Sequence, residues 1–151
     1  MLNRVALTLV ALLGAVLSCA VADDKADAAK KELDKLQGTW TFVSMESDGQ
    51  AVPQGDPAPT ITFDGNKFTV KAGDAVLQAG MQTLDPTQKP KAVDSPVTEG
   101  EGKGTTMLGI YEIDGDTLKA CFDTQGKKRP TEFKTAAGSG HMLVVLKRAK
   151  K

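Results

Sequence analysis

The chain has 151 residues, enough for one hydrophobic core and too few for two. Its 19 basic and 19 acidic residues balance, so no electrostatic footprint points to nucleic acid or an anionic membrane surface as partner. A single histidine and two cysteines exclude most zinc-site and catalytic-triad designs at the outset.

Residues 1–22 read as an export signal. Arg4 makes a positive start, Val5 to Leu17 is an apolar run, and Ala20-Val21-Ala22 has the small-x-small pattern of a cleavage site. The run is too short to span a bilayer comfortably, so no membrane span is expected. Val16-Leu17-Ser18-Cys19 offers a second route, with Cys19 lipidated as the new N-terminus. Either way the expected location is periplasmic or extracellular, in the cell envelope or beyond it. Cleavage after Ala22 leaves Cys121 as the lone cysteine, so an internal disulfide is excluded and the fold must stand on its core.

Residues 23–37 form a predicted helix or tether. Ala26, Ala29, Leu33 and Leu36 recur at helical spacing, and Gly38 stands where a helix would stop. The apolar face is thin, so this helix packs onto a larger body.

From Thr39 the period changes to two, and residues 38–151 read as a β domain. Trp40, Phe42 and Ser44 fall on one face of a first strand, with Thr41, Val43 and Met45 on the other. Ala51 to Pro59 holds three prolines and reads as loop or edge. Thr60 to Lys71 is the clearest hairpin, with Ile61, Phe63, Phe68 and Val70 on the buried face around Asp64-Gly65-Asn66. Ala75 to Leu84 and Ala92 to Val97 carry weaker strand signals. A second hairpin runs from Met107 to Asp123 around Asp114-Gly115-Asp116, with Ile110, Ile113, Leu118, Ala120 and Phe122 expected in the core. Met142 to Lys147 is the last predicted strand. Short strands at regular intervals among 15 glycines and 7 prolines point to an all-β, mainly antiparallel barrel or sandwich.

Leu36-Gln37-Gly38-Thr39-Trp40, with Asp48-Gly49 and Val52-Pro53, resembles the exported lipocalin-like domain abundant in planctomycete bacteria. The likeness continues through Ile61-Thr62-Phe63, Lys67 to Val70, Lys89 to Asp94, Gly109-Ile110-Tyr111 and Gly115 to Lys119. It runs on through Cys121-Phe122, Arg129 to Phe133 and Leu143 to Arg148, and so spans about residues 36–148. The resemblance implies a lipocalin-like β-barrel of about eight strands with a short N-terminal helix, and it carries over no catalytic residue. A broader similarity is to lipocalins proper, in which a Gly-x-Trp at the first strand packs under a basic residue of the last. Gly38-Thr39-Trp40 and Arg148 are placed for that structural contact, a cation–π stack of roughly 0.5–2 kcal/mol.

The residues that carry chemistry are few. Gly100 to Thr105 looks like a phosphate loop, but Gly104 replaces the hydroxyl residue that should follow Gly-Lys, and a strand rather than a helix is expected next. Asp114-Gly115-Asp116 is no calcium loop, because Lys119 stands where the loop glycine belongs and Gln125 where the bidentate glutamate belongs. His141, after a glycine turn, is expected to be exposed. Cys121, between Ala120 and Phe122, is expected to pack as a small apolar residue facing the barrel. Asp94, Tyr111 and Arg129 remain as polar groups that, if inward, must be paired, either with one another or with a ligand. Together with Cys121 they are the candidate ligand-binding set.

No nucleophile, base and orienting group come together in this pattern, so no catalytic residue, metal or cofactor is expected. The expected function is a non-catalytic binding module for a small molecule or peptide. The alternatives are a solid barrel serving as a protein-interaction or structural module, and, third, an enzyme.

Overall fold

A computed structural model describes residues 18–150, with side chains from Asp23 onward. The greater part of the expected export signal lies outside these residues, and the side chain of Cys19, the alternative lipid-attachment site, lies outside the described side chains. The helix α1 covers Ser18–Leu36, and ten strands follow. They are β1 (Gly38–Ser47), β2 (Gln50–Ala51), β3 (Thr60–Asp64), β4 (Lys67–Ala72), β5 (Ala75–Met81), β6 (Thr83–Asp85), β7 (Lys91–Gly100), β8 (Thr106–Asp114), β9 (Thr117–Asp123) and β10 (His141–Arg148).

Successive antiparallel pairings run β1-β3-β4-β5-β7-β8-β9-β10, and β10 returns to β1, closing an eight-stranded barrel. Closure removes the free edges that an open sheet would leave unpaired. The short β2 folds back on the end of β1, and β6 continues the row of β5 along β7. One residue, Gln82, interrupts that row. Gly80 marks the same bend, since a Cβ there would lie 2.2 Å from the Pro96 carbonyl and 2.9 Å from the Phe68 ring.

Both expected hairpins form at the expected turns, with Phe63 opposite Phe68 and Ile113 opposite Leu118. Two face assignments are corrected. A bulge between Phe42 and Ser44 inserts Val43, which is 49% exposed, and switches the face, so that Met45 rather than Ser44 joins Phe42 against the core. Ile110 is buried, as expected, but on the outer face of β8, because Tyr111 takes the inward position beside it.

The second burial layer has a clear cause. The connection between β9 and β10 runs back across the outer wall of the barrel. Asp123 anchors its start by accepting backbone N–H bonds from Gln125, Lys127 and Lys128 at 2.9, 3.0 and 2.6 Å. Farther along, Lys119 Nζ lies 5.3 Å from the Phe133 ring centroid, and Thr135 Oγ1 bonds to Glu46.

Candidate functional site

One end of the barrel is sealed. Trp40, wholly buried, donates from its indole to the Leu36 carbonyl at 2.8 Å. The Arg148 guanidinium lies 4.2 Å from the indole centroid and donates to the carbonyls of Gln37 and Lys35 at 3.0 and 2.7 Å. These carbonyls are the orphan acceptors that any helix leaves at its C-terminus, so Arg148 caps α1 while covering Trp40. Gly38, at φ +104°, turns the chain from helix to strand in a backbone region that side chains disfavour. The expected contact between Trp40 and Arg148 is therefore present.

The helix itself closes this end. Leu36 and Leu33 pack on the core, and Lys25 pairs with Asp85 of β6 at 3.0 Å. Glu32, 4% exposed, receives Lys35 at 2.7 Å, Lys91 at 3.0 Å and the Tyr111 hydroxyl at 3.1 Å. Burial pushes the Glu32 carboxyl up, but the three donors outweigh it and hold the group below its ordinary value. Tyr111 is pushed far above the ordinary phenol range by burial and by the Glu32 charge.

Above this seal the barrel is narrow and apolar. A cavity of about 80 Å³ runs among inward side chains that include Phe63, Phe68, Met107, Leu118, Phe122 and Met142. Toward the other end the lining becomes half-buried, at Ile61, Val70, Phe122 and Met142, which makes this the more open side among the described residues. Four polar residues join the lining: Gln78, Gln82, Ser95 and Tyr111.

The four candidate residues do not converge. Asp94 and Arg129 meet, but on the outer wall. Arg129 pairs with Asp94 and donates to the carbonyls of Val93 and Gly109 at 2.9 and 2.8 Å. This pins the β9–β10 connection to the barrel. An outer groove of about 480 Å³ opens beside the pair, lined also by Lys25, Asp85, Lys89 and Thr131. It is larger than the interior cavity, yet its principal cation, Arg129, is already committed to three protein acceptors.

Tyr111 points inward, at the helix end. Cys121 is completely buried but does not face the barrel, contrary to expectation. It points outward beneath the β9–β10 connection, with Sγ 3.6 Å from the Lys134 carbonyl. Burial pushes its thiol up, away from the thiolate that reactivity requires. His141 begins β10 half-buried, opposite Asp123. Burial raises the Asp123 carboxyl, while the three backbone N–H bonds and nearby His141 lower it further, leaving it below the ordinary value.

Glu32, Gln78, Gln82 and Ser95 are interior polar groups that reading along the chain missed. A signal for two of them exists. In a single strand from Ala75 to Leu84, the period of two puts Gln78, Gly80, Gln82 and Leu84 on one face, and the structure turns that face inward.

Among the described residues no helix is long and apolar enough to cross a membrane, and no three metal-ligating side chains converge. Fold and site together define a closed antiparallel barrel with one sealed end and a small apolar interior. Comparison with protein-family models, with curated proteins and with solved structures finds no match to this chain.

Proposed function

We propose that this chain is an exported, non-catalytic binding protein of the lipocalin-like kind, which takes one slender apolar ligand into the barrel from its open end. The observation that carries this reading is the apolar cavity above a sealed floor. Its volume is about half that of the roughly 150 Å³ apolar cavity known to admit benzene. Met107 and Met142 in the wall are unbranched and polarisable, the side chains that repack most readily around a guest. A short aliphatic chain is therefore the fitting class.

Thermal unfolding in the presence of saturating n-hexane or 1-pentanol tests the reading. A ligand that binds only the folded state raises the midpoint by mass action. Ala120→Leu, which extends a small inward residue into the cavity, should abolish the rise. No shift with any short aliphatic compound would defeat the reading. The narrowness of the cavity favours a second one, a solid barrel acting as a protein-interaction or structural module. That reading expects no shift and a reproducible protein partner.

A further inference from the structure

Gln82 is the exception in the barrel's hydrogen bonding. It stands in the one-residue break between β5 and β6, where its backbone N–H leaves the ladder and donates to the Asn66 carbonyl at 2.8 Å. The residue is 6% exposed, its side chain lines the interior cavity, and its Nε2 is buried with no hydrogen-bond partner. Buried amide nitrogens in native proteins almost always have an acceptor, because losing hydration without replacement is unfavourable. Leucine, nearly the same size, would satisfy the surrounding Phe63, Phe68 and Leu84 without that cost.

Two other polar groups of the lining, Gln78 and Tyr111, are occupied. Gln78 Nε2 donates to the Glu101 carbonyl at 2.6 Å, and the Tyr111 hydroxyl donates to Glu32. Gln82 is thus a donor held ready inside an apolar tube. The character of its acceptor follows from what the lining lacks. No Lys, Arg or His lines the cavity, and the nearest buried ionic group, behind Tyr111, is the Glu32 carboxylate. A carboxylate ligand would lose its hydration with no counter-charge and with like charge close by. An uncharged carbonyl oxygen meets neither obstacle.

We propose that Gln82 is the polar anchor of the cavity and that the ligand class is a short, uncharged aliphatic carbonyl compound whose oxygen accepts from Gln82 Nε2. The proposal rests on the interior-binding reading above and adds the ligand's chemistry to it. The ligand lies along the barrel with its oxygen at the β5–β6 break and its chain against the methionines.

The full chain, with ¹³C-methyl methionine, is titrated with 2-pentanone, n-hexane and pentanoate while the Met107 and Met142 methyl shifts are followed. The wild type should bind the ketone and the alkane and reject pentanoate. Gln82→Leu should weaken 2-pentanone roughly three- to tenfold, the value of one hydrogen bond, and leave n-hexane unchanged or tighter. Gln82→Met keeps the side-chain length and should behave alike, so the comparison survives if one variant fails to fold. Equal effects of both substitutions on ketone and alkane, or tight pentanoate binding, would overturn the anchor and leave interior binding intact. Absence of any titrating methyl shift in the wild type would overturn both.

Discussion

The two ends of the barrel are built on opposite principles. At the sealed end, Leu36, Trp40, Phe63, Leu118 and Leu146 are all at most 6% exposed. The polar groups that build the seal are paired: Arg148 on helix carbonyls, the indole on Leu36, Glu32 on three donors. At the other end Met45, Ile61, Val70, Phe122 and Met142 are only half-buried, and among the described residues no helix covers them. The difference shows where this barrel concentrates stability and where it leaves room. A sealed floor lets the upper wall be adaptable, because the fold does not depend on close packing at both ends.

That contrast can be broken most forcefully at its floor. Trp40→Ala removes a fully buried indole, its hydrogen bond and its cation–π partner, and should cost about 3–5 kcal/mol in urea-induced unfolding. Trp40 does not line the cavity, so ligand affinity of whatever remains folded should stay unchanged. Leu146→Ala and Met142→Ala compare the two ends on one face of one strand. The first should cost about 2–5 kcal/mol and the second about 1 kcal/mol, because only Leu146 is fully buried. Equal costs would erase the distinction.

Acid sharpens the same comparison. The Glu32 carboxyl is lowered on folding, so its stabilising contribution is complete above the ordinary value of 4.5 and disappears as pH falls through the lower folded value. Hydrogen exchange should therefore show α1 loosening first on acidification, ahead of the strands. Glu32→Gln should flatten that part of the pH dependence. The smallest effect is expected on the outer wall, where Asp94→Asn disrupts a pair whose carboxylate is 48% exposed and should cost no more than about 1 kcal/mol. Urea midpoints at two salt concentrations would check it.

Part of the floor was legible in the linear chain: local signals give the helix stop and the first strand, and the likeness to lipocalins pairs Trp40 with Arg148, whereas Glu32 and its three donors were not read. Gly38 ends a helix, Trp40 opens a strand, and Arg148 ends the last one, so the contact follows once the cylinder closes. The hairpins around Gly65 and Gly115 were legible for the same reason. The candidate site was not. Alternation separates two faces of a strand but does not say which is inside, and here the β9–β10 connection buries part of the outer face as well. Cys121 and Ile110 are apolar and buried, which is what their sequence surroundings indicate, yet they belong to the outer layer. Asp94 and Arg129 pair as a polar couple in a small barrel must, but outside it. Val43 broke its own alternation through a bulge, which inserts a residue without leaving a distinctive pattern behind.

Period-two hydrophobicity, the turn glycines and the helical spacing before Gly38 are enough to determine a helix followed by antiparallel strands, since these depend on neighbours along the chain. Tertiary structure alone decided the closure, which joins Arg148 to a carbonyl 111 residues away, and the choice of the inward face. It also decided that a cavity of about 80 Å³ survives and that Gln82 faces it without a partner. The reason is physical: cavity volume and hydrogen-bond satisfaction are properties of side chains brought together from eight strands at once, and no stretch of the chain contains them.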